Sequence, residues 1–359
     1  MSGDSPAWVN LHELADAAGP KLSAQAAAYF NGGAGDEHTL AANPADWQRL
    51  HLWPRTLAPL DGSHTRTMIG PNAVAHPIWL APVAYQQLAH PEGEVATAMA
   101  AAAQSAGMVL SSQSSVAVED VANAMRTVAD PAGDVAPLWF QLYWQPDRAL
   151  TLNLIQRAEA AGCSALVLTV DAPVHGVRDC ERRAGFSLPA GVRAVHLPHG
   201  VAQASTLAPL LQAAPTWHDL NWLREHTRLP IWLKGVLHPA DAALARTAGM
   251  DGLIVSNHGG RTLDTCVSTA WALPRVADAV QGELPLLVDG GIRRGTDVLK
   301  AVALGAQGVL IGRPQVHALA CGGALGVARM IRLLRDELAV AMALCGCSDL
   351  RHANRDLLA

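Results

Sequence analysis

Eight short apolar runs recur along the chain without the alternation of a strand that has one wet face: Ile78–Val83, Met108–Ser111, Pro137–Tyr143, Ala165–Val170, Pro230–Leu233, Leu253–Ser256, Pro285–Val288 and Val309–Gly312. Unbroken runs rich in Val, Ile, Leu and Trp suit strands covered on both faces, as in a parallel sheet. Between them lie Ala-rich amphipathic stretches of helical length, among them Glu94–Ser105, Leu150–Ala160, Pro239–Thr247 and Thr296–Leu304. Strand and helix therefore alternate along most of the chain.

Three helix-to-strand joints repeat one phrase, a glycine at the helix end followed within a few residues by an apolar run: Gly162, Gly249 and Gly305. A left-handed residue closes a helix there, and glycine takes that conformation without a Cβ clash. Ala106-Gly107 reads as a contracted copy. Eight such units predict an α/β chain folded as a (β/α)8 TIM barrel, with its site at the C-terminal strand ends. An open doubly wound sheet is the alternative, because periodicity does not report closure.

Two segments stand outside the repeat. Residues 1–77 carry helical patterns at Leu11–Ala18 and Ser23–Phe30, the second stopped by Gly32-Gly33, and are expected to form an N-terminal helical extension to a barrel over 78–359. From Arg178 to about Leu229, between strands four and five, Pro189, Pro198, Pro209 and Pro215 interrupt any period. Long loops inside compact domains are usually functional or disordered, so about 178–216 is expected to be a mobile lid over the site. The whole chain, 1–359, is read as a single domain.

Composition narrows the function classes. The 359 residues are 50% hydrophobic and 16% charged with a net charge of −5, ample for a core and poorly suited to holding nucleic acid. No signal-peptide pattern opens the chain and no run approaches the roughly 18 apolar residues of a spanning helix, so a cytoplasmic protein without membrane partners is expected. The six cysteines form no C-x-x-C pair, and Cys345-Gly346-Cys347 is too tight for a usual zinc site, so no metal is expected.

The strand ends carry the chemistry. They bring together Pro82-Val83-Ala84, Ser111, Gln141, Tyr143, Thr169, Asp171, Lys234, Ser256, His258, Asp289-Gly290-Gly291 and Gly312-Arg313. Glycines beside Arg293 and Arg313 after strands seven and eight make a phosphate cradle of backbone N–H groups and guanidinium forks. Ser111, Gln141, Thr169 and the single cation Lys234 suit a flat heterocycle with amide edges that becomes anionic, a flavin rather than a sugar phosphate. His258 is the candidate base, with Asp171 two strands away to hold its imidazolium. Arg261 beside that base suggests a clamped substrate carboxylate, and Arg178 offers a second clamp.

In this order the motifs resemble the FMN-dependent 2-hydroxy-acid oxidases and dehydrogenases, the family of glycolate oxidase, lactate oxidase and mandelate dehydrogenase. The resemblance covers nearly the whole chain. It rests on residues 33–40 (GAGDEHTL), 81–84 (APVA), 90–94 (HPEGE), 141–143 (QLY), 168–171 (LTVD), 233–235 (LKG), 256–261 (SNHGGR), 289–295 (DGGIRRG) and 311–314 (IGRP). It implies a barrel holding FMN, with the Val83-Ala84 backbone beside the N5 edge and Ser111, Gln141 and Thr169 around the ring. Lys234 would lie near N1 and O2 with Ser256 close by, Asp289 would meet the ribityl chain, and Arg293, Gly312 and Arg313 the phosphate. His258 would be the base and Asp171 its support; Arg261, Arg178 and Tyr29 would bind the substrate carboxylate, and Tyr143 the hydroxyl.

The implied reaction is oxidation of an L-2-hydroxy acid to the 2-oxo acid, with O2 reduced to H2O2, in a homo-oligomer (tetramer or octamer). A dehydrogenase passing electrons to a quinone or another acceptor, and a decarboxylating monooxygenase, are alternatives within this chemistry; an FMN-dependent isomerase is one from another class. Gln113 stands where glycolate oxidases place a tryptophan, which leaves room for a larger substrate side chain. Residues 81–86 (APVAYQ) and 137–141 (PLWFQ) look most like the hydroxymandelate-oxidase branch, so aryl substrates compete with lactate.

Overall fold

A computed structural model describes residues 8–128, 136–197 and 207–359. Eight parallel strands close into a barrel: β1 Ile78–Leu80, β2 Met108–Ser111, β3 Leu138–Leu142, β4 Leu166–Thr169, β5 Ile231–Val236, β6 Gly252–Val255, β7 Leu286–Val288 and β8 Gly308–Ile311, with β8 returning to pair with β1. All eight apolar runs are strands, and closure removes the open-sheet alternative.

Nearly every strand residue is buried, because one face meets the helices and the other fills the barrel. The interior contains Trp79, Val109, Trp139, Val167, Trp232, Ile254, Leu287 and Leu310, one from each strand. Its indoles pack edge to face or tilted, with ring centroids 4.5 Å apart for Trp79 and Trp139 and 4.8 Å for Trp139 and Trp232.

Gly162, Gly249 and Gly305 have φ of 86°, 69° and 110°, the left-handed closures expected of the repeated joint. Gly107 plays another part. Ser105 takes the positive φ after helix Gly93–Ala103, whereas a Cβ on Gly107 would lie 2.2 Å from the Trp79 indole. That glycine admits a tryptophan rather than ending a helix.

The N-terminal extension is not wholly helical. Helices Leu11–Ala18, Ala24–Asn31 and His38–Arg49 are followed by an antiparallel hairpin, Thr67–Ile69 with Asn72–Val74. Its strands are too short to show a period; only the Gly70-Pro71-Asn72 turn hints at it. Ile69 and Val74 join the barrel-interior cluster and floor the N-terminal end. In the insertion after β4, helices Asp179–Arg183, Leu207–Ala213 and Asp219–Glu225 are present, and residues 198–206, including Pro198, lie outside the described residues. The C-terminal helix Arg313–Leu344 is kinked at Gly322-Gly323 and packs on the barrel through helices Gly93–Ala103 and Gly295–Ala303.

Candidate active site

A cavity of about 1480 Å³ opens at the C-terminal strand ends, larger than the roughly 300–1,000 Å³ of a single-ligand pocket. It has room for a large cofactor and a small substrate together. Tyr29, Pro82, Val83, Ala84, Ser111, Tyr143, Thr169, Arg178, Lys234, His258, Arg261, Asp289, Gly290, Gly291, Arg293, Gly312 and Arg313 all line it. Gln141, Asp171 and Ser256 stand behind, each hydrogen-bonded to a lining residue. Residues of the insertion, among them Glu181, Phe186 and Leu188, cover one side.

His258 follows β6 in the left-handed region, φ 58°, and its amide donates to Ser256 Oγ at 3.0 Å. Nδ1 lies 3.0 Å from Asp171 Oδ1, and Nε2 lies 3.3 Å from the Tyr143 hydroxyl. With the proton on Nδ1 facing the carboxylate, Nε2 carries the lone pair. Burial lowers the His258 pKa, against the pull of Asp171, so the imidazole is neutral near pH 7. Burial opposes the charge on Asp171, yet His258 and Lys234 outweigh it and hold that carboxyl below its usual range. The pair is thus a neutral base backed by an anion. Burial pushes the Tyr143 hydroxyl upward in pKa, with Asp171 adding to the shift, so it stays protonated.

Gly259 and Gly260 also have positive φ, but their missing side chains make room for protein. A Cβ on Gly259 would lie 2.8 Å from Arg313 Nη1, and one on Gly260 would lie 2.7 Å from the Leu40 amide. The N-terminal helices therefore press against the base loop.

Arg261 and Arg313 converge on the C-terminal end of helix Ala24–Asn31. Arg261 Nη1 donates to the carbonyls of Tyr29 and Gly32; Arg313 donates from Nε to Phe30 O (3.1 Å), from Nη1 to Gly259 O (2.9 Å) and from Nη2 to Gly32 O (3.2 Å). Free carbonyls at a helix C-terminus attract cations. Burial, with Arg261 and Arg293 nearby, brings Arg313 down to about 9. Arg313 lines the cavity, and with one backbone carbonyl on each of its three nitrogens two of its five N–H groups remain for a phosphate.

The flavin-side residues form two networks. Ser111 Oγ donates to Gln141 Oε1 at 3.1 Å, and Gln141 Nε2 donates to Thr169 Oγ1 at 3.0 Å. Lys234 Nζ lies 2.9 Å from Ser256 Oγ and 3.2 Å from Asp289 Oδ2. Asp289 Oδ1 is buried without a partner, an acceptor awaiting a hydroxyl. Gly290 and Gly291 have φ of 88° and 86°, and a Cβ on Gly291 would lie 2.5 Å from the Asn43 carbonyl carbon. Next to them, burial lowers the Arg293 guanidinium in pKa, a cation lacking a full counter-charge. The glycines make room for Asn43 and Thr269, while the unpartnered carboxylate oxygen of Asp289 and the undercompensated Arg293, both on the cavity wall, fit a ribityl phosphate.

Sequence reasoning missed several supports. Glu181 accepts from Arg178 Nη1 at 2.8 Å and Arg261 Nη2 at 3.3 Å; its spacing three residues after Arg178 on a helix was the available signal. Asn43 and Asn257 exchange side-chain amide bonds of 2.9 and 2.8 Å, and Trp47 Nε1 donates to Gly290 O at 2.8 Å. Phe186 stacks on Tyr29 with centroids 4.7 Å apart. These contacts join segments far apart in the chain and leave no local pattern.

A parallel eight-stranded barrel with an arginine-flanked base and a flavin-sized cleft defines an oxidoreductase class, and the match of residues 18–359 to the family described as FMN-dependent dehydrogenase agrees. The chain belongs to that family, and its cofactor is FMN. It is similar to an L-lactate oxidase from Roseobacter sp. (strain GAI101), 47% identical over 96% of this chain and 92% of that one. An L-lactate oxidase from Nostoc sp. (strain PCC 7120 / SAG 25.82 / UTEX 2576) is 45% identical, covering 98% of each chain. Among solved structures, mandelate oxidase with benzoyl-formic acid superposes with a TM-score of 0.89 at 41% identity, again covering 98% of each chain.

Proposed function

We propose that this protein is an FMN-dependent oxidase of L-2-hydroxy acids, lactate-like or mandelate-like, that yields the 2-oxo acid and passes two electrons to O2 to give H2O2. The observation that carries the reading is a neutral His258, braced by Asp171, in one cavity with Arg178 and Arg261. The relatives' names, L-lactate oxidase and mandelate oxidase, support it.

Arg261, Arg178 and Tyr29 hold the substrate carboxylate, and Tyr143 donates to the substrate hydroxyl. His258 Nε2 accepts a proton from the substrate, and Asp171 stabilises the resulting imidazolium through Nδ1. FMN, when bound, supplies the two-electron acceptor. Pro82, Val83, Ala84, Ser111, Gln141, Thr169, Lys234 and Ser256 would surround its ring; Asp289, Gly290, Gly291, Arg293, Gly312 and Arg313 would hold its ribityl phosphate. Gln113 and Tyr85 line the cavity where a substrate side chain would project, which leaves lactate and aryl acids in competition.

Mixing the holoenzyme anaerobically with glycolate, L-lactate, longer L-2-hydroxy acids and L-mandelate tests the reading: at least one bleaches the flavin, and no bleaching by any rejects it in favour of an isomerase. Admitting O2 then separates the acceptors. Stoichiometric H2O2 with the 2-oxo acid marks an oxidase, loss of CO2 a decarboxylating monooxygenase, and turnover only with a quinone or dye a dehydrogenase. A cytoplasmic homotetramer or octamer goes with the proposal, checked by cell fractionation and light scattering; a monomer would remove that part.

A further inference from the structure

Glu181 is the one carboxylate hydrogen-bonded to the two clamp arginines among the described residues. Its Oε1 lies 2.8 Å from Arg178 Nη1 and 3.3 Å from Arg261 Nη2, and the three side chains are only 18, 16 and 13% exposed respectively. Charges this sheltered are weakly screened, and each guanidinium would otherwise keep its full positive charge toward the cavity.

The donor inventory defines what remains for a ligand. Arg261 spends Nη1 on the carbonyls of Tyr29 and Gly32 and shares Nη2 with Glu181. Arg178 spends Nη1 on Glu181, while its Nε is buried without a partner. Two cations and one internal anion leave a net charge of +1 at the clamp. Deeper in the cavity Lys234 is matched by Asp289 and the neutral His258 adds no charge in front of the anionic Asp171; Arg182 is paired with Asp179 at 3.6 Å, and Arg293 and Arg313 belong to the wall that fits the ribityl phosphate, so the clamp carries the positive charge offered to the substrate.

We propose that Glu181 is a specificity-determining residue: its carboxylate cancels one clamp charge, so that the site takes 2-hydroxy acids with a single carboxylate and rejects those with two. This rests on the proposed 2-hydroxy-acid reading and deepens it. A second carboxylate on the substrate would find the clamp's one surplus charge already taken by the first and would be repelled by the weakly screened Glu181 charge, a repulsive element of the kind that sets specificity.

(S)-Lactate and (S)-malate differ at C3 by one carboxylate and serve as the probe pair. Wild-type holoenzyme favours lactate. Glu181→Gln keeps the shape and removes the charge, and is expected to raise the malate-to-lactate ratio of kcat/KM by roughly tenfold or more, the size of one poorly screened charge at short range. Glu181→Asp, which keeps the charge, holds the wild-type ratio. An equal change for both acids in Glu181→Gln, or the same shift in Glu181→Asp, overturns the proposal, as does wild-type enzyme that oxidises malate as well as lactate. Flavin absorbance titrations with propionate and malonate give the same comparison without turnover: Glu181→Gln tightens malonate relative to propionate, and an unchanged ratio overturns the inference. Should Glu181→Gln fail to accumulate, Glu181→Ser supplies the neutral side chain. If the wild type bleaches with no 2-hydroxy acid, the parent reading fails; if it bleaches with lactate and the ratios do not move, only the role of Glu181 fails.

Discussion

Gly235 gives up a side chain to Asp171: a Cβ built on it would lie 2.4 Å from the Asp171 Cβ and 2.5 Å from its carboxyl carbon. Gly235 has φ 110° and sits at the irregularity where β5 shifts register between Lys234 and Val236. The shift lets Lys234 face the cavity while the next residue clears the anion behind the base. Gly235→Ala should therefore displace Asp171 from His258, lowering kcat at least tenfold while FMN stays bound. Full activity in that variant would show that the pair tolerates the displacement.

The His258–Asp171 pair also sets a pH profile. Burial holds the His258 pKa below its usual value, and Asp171 partly restores it. The base form is thus present above that lowered pKa and lost as pH falls through it, so the acid limb of kcat/KM lies below about 6.5. Asp171→Asn removes the raising influence. Its acid limb should move to still lower pH while kcat falls by about 10²–10⁴, the usual worth of general-base assistance. A limb that moves upward would mean that another group titrates.

Arg261 closes the helix end at Tyr29 and Gly32, and in the proposed function it also binds the substrate carboxylate. Arg261→Met should raise the KM for the hydroxy acid by about 10- to 100-fold, as expected for a lost charged hydrogen bond of about 1.5–3 kcal/mol. It should also lower Tm through the stranded carbonyls. An unchanged KM would remove Arg261 from the clamp.

Lys234 and Asp289 form a buried pair 3.2 Å apart, with side chains 5 and 9% exposed. Removing one partner strands the other, so Lys234→Met should destabilise the protein by about 3–5 kcal/mol. Lys234→Met combined with Asp289→Asn should recover part of that loss, by chemical denaturation of the FMN-free protein. A double variant no more stable than the single one would show that the charges do not answer each other.

How much of this was legible in the sequence follows the range over which each feature acts. The barrel strands and left-handed joints are local, and the residues from Ile78 to Arg313 announce them by apolar runs and glycines. Strand ends were less sharp: Pro82, Val83 and Ala84 lie beyond β1, and β5 runs on through Lys234 to Val236, because pattern marks burial rather than pairing. The His258–Asp171 contact could be inferred from strand order once a barrel was assumed. Glu181 left one local hint, its place three residues after Arg178, but its contact with Arg261, the Asn43–Asn257 exchange and the seat of Arg313 on Gly32 depend on how the N-terminal helices and the insertion fold back, and no spacing encodes that. The hairpin at 67–74 went unseen for another reason, since three-residue strands carry too few positions to define a period.

The three indoles of Trp79, Trp139 and Trp232, with Ile69 and Val74 beneath them, make the barrel a vessel with a stoppered base. Traffic consequently has a single opening, used in both directions. Substrate, product and exchanging protons all cross the same rim, past Tyr29 and the residues of the insertion, so whatever slows passage there slows every half of the catalytic cycle at once.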